Sequence, residues 1–260
     1  MKTSRFPLIV LMILLGFLII PFLVVLIAAF GGDPSLRFPP SSFSLEWFKE
    51  IMSQKAFIKG FWVSVKVAGL SSLLSITIGV SIAYALARYS FRGKELVQLI
   101  ATLPVIIPQL VVGLALLKYL VIKTNLSVIP ALVIGHAALF IPYAVRIVLA
   151  SLSNLPVDIE QSAVSLGASR FYTFFRIVLP NIRDAILTSL ILTFILSFNN
   201  VPVSLFLTDV GIATLPIQML SYMEYNFDPS IAALSTLLII FSAAVVFITE
   251  RLIGLSQAFK

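Results

Sequence analysis

The chain has 260 residues, of which 60% are hydrophobic and only 11% are charged. Soluble domains carry about 25% charged residues, so this chain has too few polar side chains to cover a soluble globule, and most of it must be solvated by lipid. The net charge is +7, but the basic residues are scattered singly, which excludes a nucleic-acid partner. The absence of cysteine excludes disulfides and thiolate chemistry.

Six stretches are long and apolar enough to cross a membrane, which takes about 20 residues each. In lipid each must be a helix, because its backbone polar groups need partners within the segment. The sequence therefore predicts an all-α polytopic membrane protein with about six transmembrane helices, forming a single domain over residues 1–260. The six stretches cover approximately 8–30, 61–87, 96–122, 128–150, 185–208 and 230–254.

The first stretch has one property of a secretory signal peptide, since Lys2 and Arg5 precede it and Ala28 and Ala29 lie near its end. Its apolar run is nevertheless longer than the core of about 7–15 residues that a cleaved signal has. We therefore predict a retained N-terminal span over residues 8–30.

Residues 31–60 are predicted to lie outside the membrane. The glycines and prolines of residues 31–44 are typical of a loop. In residues 45–59, apolar side chains recur on one helical face, which favours an interfacial helix over an unstructured connector. These side chains are Leu45, Phe48, Ile51 and Met52.

The distribution of Lys and Arg predicts the orientation. When the N-terminus is placed inside, 11 of the 18 Lys and Arg residues fall on the cytoplasmic side. By the positive-inside rule, both termini and residues 151–183 are then cytoplasmic.

Residues 151–183 connect the fourth and fifth spans and are predicted to form two short helices around a glycine. Asn154 is a candidate N-cap for a helix that begins near Pro156. Gly167 ends this helix, because glycine readily adopts the left-handed conformation. A second short helix is expected from about Ser169 to Leu179. On the first helix, Ile159, Ala163 and Leu166 form one apolar face.

A motif lies within this loop. Gly167, Ile177, Leu179 and Pro180 stand in the pattern G-x9-I-x-L-P, with the small residues of Gln161-Ser162-Ala163 upstream. The pattern resembles the cytoplasmic coupling loop, or EAA loop, of permease subunits in binding-protein-dependent type I ABC importers, which show E-A-A-x3-G-x9-I-x-L-P. Here Gln161-Ser162-Ala163 replaces Glu-Ala-Ala, and Glu160 lies one position earlier.

The resemblance extends over roughly residues 55–254, including the loop RYSFRGK at residues 88–94. The chain is similar to the second permease of the spermidine/putrescine-type branch, whose relatives also transport ferric iron and phosphonates. It implies that a helix–Gly–helix coupling loop contacts a separate ATPase. The residues implied in that contact are Glu160, Gln161, Ser162, Ala163, Gly167, Ala168, Ser169, Ile177, Leu179 and Pro180.

The resemblance also implies partners. These are an ABC ATPase dimer, a second homologous permease and an extracytoplasmic solute-binding protein, assembled in the bacterial cytoplasmic membrane. The sequence contains no G-x4-G-K-[ST] phosphate-binding loop, so ATP and Mg would be bound by the partner ATPase and no cofactor by this chain. The chain is accordingly expected to be a transport subunit and not an enzyme. The resemblance implies that the second permease is a different but homologous chain, so that the two form a heterodimer.

Polar residues inside spans are candidates for function, because burying them in lipid is costly. Asn199 and Asn200 interrupt the fifth span beside Pro202, where they could line a solute path, hold helices together or support a kink. Gln109 follows two prolines in the third span and is a similar case. His136, the only histidine, is a tentative solute-path residue, although a lone histidine is more often a helix–helix hydrogen-bonding group. With one His and no Cys, no metal site is expected.

Two further expectations concern the solute and an alternative function. In the resembling polyamine permeases, the positions matching Asn199, Asn200 and Gln109 tend to be acidic, whereas here all three are amides. We therefore expect a small organic solute, such as a polyamine or a related zwitterionic or anionic compound, that is less cationic than spermidine. The alternative is an ion-coupled secondary transporter, but such proteins need intramembrane carboxylates, and the predicted span interiors contain essentially none.

Overall fold

The computed structural model describes residues 5–253 except Leu36 and Phe227. Lys2 and Lys260, which contribute to the predicted cytoplasmic charge, lie outside the described residues. Within the described part no β-strand forms, and two isolated bridges join Gly31 to Phe43 and Asp209 to Ile212. The all-α prediction is confirmed.

The first half of the described chain is dominated by long apolar helices. Helix α5 continues into a π-helical segment, Leu117–Lys123. The helices are α1 (Arg5–Ala29), α2 (Glu46–Ser53), α3 (Lys55–Arg88), α4 (Lys94–Ile106), α5 (Gln109–Leu116) and α6 (Val128–Asn154).

The second half begins with short helices. A π-helical segment, Phe174–Val178, joins α8 to α9. The helices are α7 (Val157–Ser165), α8 (Arg170–Thr173), α9 (Leu179–Asn181), α10 (Arg183–Phe198), α11 (Ser204–Leu207), α12 (Leu215–Tyr225) and α13 (Ser230–Ile253).

Within the described residues, four helices are long and apolar enough to cross a membrane as single pieces, namely α1, α3, α6 and α13. Two bent pairs pass the same test: α4 with α5 and its π-helical extension, bent by 102°, and Arg170–Asn181 with α10, bent by 70°. When each pair is taken as one span, the described residues give up to six spans, which agrees with the predicted number. The second pair includes Arg170–Asn181, which the sequence placed in the loop before the fifth span. The predicted interfacial helix is shorter than expected, because α3 begins at Lys55.

The third span is broken, where the sequence predicted a continuous helix over residues 96–122. Helix α4 ends at Ile106, and Ile107 is extended with φ −79° and ψ 133°. Pro108 causes this break, because its ring disfavours the helical conformation of the preceding residue and it has no N–H to donate.

The fifth span is shorter than the predicted range of 185–208. Helix α10 has 16 residues and ends at Phe198, which gives a length of about 24 Å against a hydrocarbon core of about 30 Å. Asn199 and Asn200 follow it, and the chain turns helical again only at Ser204. The predicted fifth span is therefore interrupted at residues 199–203.

The chain divides into two compact units, residues 1–59 with 218–244 and residues 60–217 with 245–260. In the first unit, the Trp47 indole Nε1–H donates to the carbonyl of Gly31 at 2.8 Å, and the Phe30 and Phe48 rings lie 5.0 Å apart. The apolar side chains of the first span, Pro7–Ala29, are almost all exposed. They require lipid or another membrane protein as their solvent.

In the second unit, α6 is the central helix and packs against α10, α4 and α11. The part of α6 that ends at Leu152 is joined to α3 and to the residues that lead into α10 by a buried apolar cluster. Its members are Ile76, Val80, Ala83, Ala144, Val148, Leu152, Val178 and Ile182. Helices α3 and α6 approach closely at Gly79, where an added Cβ would lie 2.6 Å from the Cβ of Ala144. Small residues at such crossings are typical of packed membrane helices.

We expect Gly79→Ala to destabilise the bundle by about 1–3 kcal/mol, because the added methyl group overlaps Ala144. Gly69→Ala in the same helix is the matched control, since its Cβ would meet nothing within 4 Å. Thermal unfolding of the two variants in detergent, followed by circular dichroism, measures the difference. Equal unfolding midpoints would contradict the close crossing.

Candidate functional site

The loop after α6 folds as the predicted helix–Gly–helix unit, which we call the knuckle (residues 157–173). Gly167 has φ +92°, and two backbone bonds close the end of α7: Gly167 N–H to Val164 O at 2.9 Å and Ala168 N–H to Ala163 O at 3.0 Å. This is the Schellman pattern. Ser169 then caps α8, accepting from the Tyr172 N–H at 3.2 Å. The prediction that Asn154 caps α7 is wrong, because Asn154 ends α6 and α7 begins after Pro156.

The outer surface of the knuckle is apolar. Leu166 is 89% exposed and Phe171 is 74% exposed. Ile159, Val157, Val164, Tyr172 and Phe175 are also exposed. The predicted apolar face of Ile159, Ala163 and Leu166 therefore points largely outward. Gln161 and Ser162 are exposed on the same helix.

The inner face of α7 carries Glu160, which sequence analysis placed in the ATPase contact. Its carboxylate accepts from Arg88 Nε at 2.6 Å and from the Tyr84 hydroxyl at 2.9 Å. The Arg88 guanidinium also donates to the carbonyls of Leu152 at 3.1 Å and Leu155 at 3.0 Å. We call Tyr84, Arg88 and Glu160 the clasp. The Glu160 side chain is only 11% exposed, so it faces the bundle instead of the outer surface.

A cavity of about 560 Å³ opens beside the clasp, between the end of α3 and the knuckle. Arg170 and Gln161 lie on its rim, and both polar and apolar side chains line it. Among the described residues, no group of three or more His, Asp or Glu side chains converges as metal ligands would.

The second half of the motif anchors the loop in the bundle. Val178 and Ile182 are fully buried in the cluster shared with α3 and α6, and Leu179 packs at its edge. Ile177 is half-buried, and its carbonyl accepts from Asn181 Nδ2 at 2.7 Å. Pro180 is exposed and lies in the first turn of α9.

His136 lies at the centre of a buried polar network. Its Nδ1 is 2.7 Å from Ser197 Oγ and its Nε2 is 3.0 Å from Ser204 Oγ. Ser197 Oγ in turn lies 2.9 Å from Ser71 Oγ on α3. His136 has no exposed surface, so it does not line an open path in this structure; instead it joins Ser197 before the break to Ser204 after it.

The amides predicted to face the solute lie at the two helix breaks. Asn200 Nδ2 donates to Gln109 Oε1 at 2.9 Å, and Asn200 Oδ1 accepts from the Val203 N–H at 3.1 Å. Asn200 thus satisfies a backbone group that the break frees, and it joins the fifth span to the first residue of α5. Asn199 is exposed, and its Nδ2 donates to Ile195 O at 3.1 Å.

Sequence reasoning missed Tyr84, Arg88, Ser71, Ser197 and Ser204. One signal was available for the first two, since residues four apart share a helix face and precede the polar loop after α3. The serines carried no signal, because helical serines commonly bond to their own backbone.

The part of the chain that the structure describes thus has up to six apolar spans and a helix–Gly–helix knuckle, an arrangement that suits a polytopic membrane protein. Residues 75–257 match the family model described as "Binding-protein-dependent transport system inner membrane component", and the chain belongs to this family. It is therefore a permease subunit of a type I ABC importer and a multi-pass membrane protein. The alternative function, an ion-coupled secondary transporter, is excluded. Subunits of this class are not enzymes.

Curated relatives are similar over most of their length. The chain is 27% identical over 238 residues to the spermidine/putrescine transport system permease protein PotC of Haemophilus influenzae, covering 90% of this chain and 91% of that protein. It is 28% identical over 244 residues to the putrescine transport system permease protein PotI of Escherichia coli K12, covering 90% and 86%. The molybdenum transport system permease protein ModB of Haemophilus influenzae is 32% identical over 178 residues. The match covers 62% of this chain and 78% of that protein.

Solved structures confirm the fold. A chain of a bacterial ABC transporter involved in the import of the acidic polysaccharide alginate superposes with TM-score 0.74 at 17% identity, covering 96% of this chain and 94% of that one. A chain of the MetNI methionine ABC transporter in an inward-facing conformation gives TM-score 0.66 at 16% identity, covering 76% and 94%.

We predict that Ser197→Ala destabilises the second unit by about 1–3 kcal/mol, because it leaves the buried Nδ1 of His136 without its partner. The Ser71 hydroxyl loses one contact but keeps its bond to the Ala68 carbonyl at 3.3 Å. Ser81→Ala is the control: Ser81 is exposed and bonds only to its own helix, at Thr77 O. Denaturant titration in mixed micelles compares the two variants. A Ser197 variant as stable as the Ser81 variant would show that the network is not a stabilising one.

Proposed function

We propose that the knuckle is the surface through which this permease subunit binds a separate ATPase. The observation that carries the proposal is the exposed apolar surface around Leu166 and Phe171, on a loop too polar and too short to cross a membrane. Exposed apolar patches rimmed by polar residues are typical of protein interfaces. The fixed Gly167 turn presents this patch as a rigid convex surface, and Gln161, Ser162 and Ala168 border it.

The orientation follows from the same assignment. With the knuckle in the cytoplasm, the positive-inside rule places both termini there as well. Residues 31–60 and 209–229 then face outward and offer a docking surface to the solute-binding protein. At Asp209–Ile212, a tight turn exposes 99% of Val210.

The remaining partners are inferred from the family. A second, homologous permease subunit completes the solute path, and an ATPase dimer binds ATP and Mg. ATP-driven closure of the ATPases moves the knuckles, and the spans alternate between inward-facing and outward-facing states. We assign residues 1–260 to one permease domain, with residues 55–254 as its core.

The solute path is proposed to run beside the two helix breaks. Transporters place their solute sites at discontinuous helices, where irregular backbone can line a cavity. Asn199 is exposed at one break, and the Gln109–Asn200 pair joins both. Since these groups are neutral amides, they offer hydrogen bonds without the negative charge that a polycation favours, which supports a zwitterionic, anionic or weakly cationic organic solute.

Gly167→Asp is expected to release the ATPase, because it places a charged group on the docking surface at a strained turn. The matched control is Gly93→Asp, since Gly93 also has positive φ (+88°), meets nothing within 4 Å, and lies in a different loop. Both variants and the native chain are purified from their native membrane in mild detergent, and co-purifying proteins are identified by mass spectrometry. Loss of the ATPase from both variants, or from neither, would contradict the docking assignment.

Replacing the exposed amide by a carboxylate should change solute preference towards cations. We expect Asn199→Asp, which adds a carboxylate at the exposed amide and leaves the Gln109–Asn200 bond intact, to take up radiolabelled spermidine about tenfold faster than the native chain, which corresponds to about 1.4 kcal/mol. Uptake is measured in cells that express the complete transporter. Tight spermidine specificity in the native chain would overturn the proposed solute class.

A further inference from the structure

The clasp lies where the ends of three helices meet. Arg88 is the last residue of α3, Leu152 and Leu155 lie at the end of α6, and Glu160 is in α7. One guanidinium contacts all three elements, through the Glu160 carboxylate and the two carbonyls. The clasp is therefore a joint between the knuckle and two membrane spans.

The chemistry of this joint makes it directional and stiff. The last carbonyls of a helix have no partner within the helix, and a cation at that end is also favoured by the helix dipole. The terminal nitrogens of Arg88 donate to the Leu155 carbonyl and to the Leu152 carbonyl, which also accepts from the Leu155 N–H at 3.2 Å, and Nε donates to Glu160. The planar fork of Arg88 fixes the direction of all three bonds, which a lysine would not do.

Burial makes the joint hard to open. The side chains of Arg88 and Glu160 are 8% and 11% exposed, so water and salt screen the ion pair little. Separating the partners would leave a charge buried without its counterion. The Tyr84 hydroxyl holds the second carboxylate oxygen, which prevents the carboxylate from rotating away.

We propose that Arg88 and Glu160 are positioning residues of the transport cycle, which make the knuckle, α3 and α6 move as one body when the ATPase pulls on the knuckle. The inference rests on the proposed ATPase docking and goes beyond it. The docking surface binds the partner, whereas the clasp, on the opposite face of α7, passes its displacement to the membrane spans. Without the ion pair, the knuckle follows the ATPase while the spans lag behind.

The absence of cysteine permits a direct test with two spin labels. Labels are placed at Asp158→Cys in α7 and Leu73→Cys in α3, both exposed positions, in the complete transporter purified with its partners. Double electron–electron resonance measures the distribution of distances between the two labels, before and after the transporter is trapped with ATP and vanadate. With the native clasp, we expect an equally narrow distribution in both states.

The clasp variants are Arg88→Gln and Glu160→Gln, and Tyr84→Phe is a milder variant should either fail to fold. We expect the nucleotide-trapped distribution to broaden at least twofold in the glutamine variants, while the ATPase still co-purifies and still hydrolyses ATP. The double variant should broaden the distribution no further than Arg88→Gln alone, because Arg88→Gln already removes the ion pair together with the bonds to the two carbonyls. Arg92→Gln and Glu95→Gln are the matched controls: both residues are exposed near the same loop, and both variants should behave as the native chain.

Several outcomes overturn the proposal. A lower unfolding temperature with an unchanged nucleotide-trapped distribution would make the clasp a structural contact only. Loss of the ATPase from the clasp variants, but not from the native chain, would make it part of the docking surface. If no ATPase co-purifies with the native chain either, the proposed function is wrong, and so is the role of the clasp that rests on it. This result is distinct from the other two.

Discussion

The structure depends on one constraint: backbone polar groups surrounded by lipid must find partners, yet this chain breaks two of its spans. Each break frees N–H and C=O groups that a continuous helix would have paired. At the second break, the Asn200 side chain provides one of the missing partners, and side-chain bonds connect the segments on either side. Asn200 accepts from the Val203 N–H and donates to Gln109 at the other break, while His136 joins Ser197 to Ser204. The breaks are thus held by defined polar contacts.

A broken span held by hydrogen bonds is suited to a protein that must alternate between two states. Continuous helices move as rods, whereas a break gives a position at which one half can turn relative to the other. The amides at the breaks have a structural role that does not exclude contact with solute, since Asn199 stays exposed beside them. The residues at the breaks can therefore hold the solute path in place in one state and allow its shape to change between states.

The knuckle is attached to the spans in two ways. On one side the clasp joins it to the ends of α3 and α6, and on the other the buried Val178 and Ile182 join it to the cluster shared with α10. The first attachment is polar and directional, and the second is apolar and adaptable. This difference explains why the motif combines a glycine turn with an apolar C-terminal part. The turn at Gly167 shapes the docking surface, and the apolar residues that follow anchor the loop in the bundle.

Much of this fold was predictable from the sequence, because span length and apolar content depend on the lipid alone. Gly167 was predictable for a similarly local reason, since a small residue after a helical face indicates a left-handed turn. The orientation of α7 was not predictable, because Ile159, Ala163 and Leu166 form the expected apolar face but that face points outward. The spacing of apolar residues shows that α7 has an apolar and a polar face. The contact with Arg88 determines which of them is buried, and Arg88 lies 72 residues from Glu160 along the chain. The break at Pro108 and the His136 network likewise depend on contacts between distant segments.

The most direct test of the account is a photo-crosslink from single cysteines in this cysteine-free chain. A thiol-linked benzophenone at Leu166→Cys, on the knuckle, is compared with one at Val210→Cys, in the exposed turn after the fifth span. Native membranes are irradiated, and the crosslinked partner is identified by mass spectrometry. We predict that the Leu166 probe captures an ABC ATPase and the Val210 probe does not. Capture of the ATPase from Val210 and not from Leu166 would contradict the assignment of the knuckle as the coupling surface.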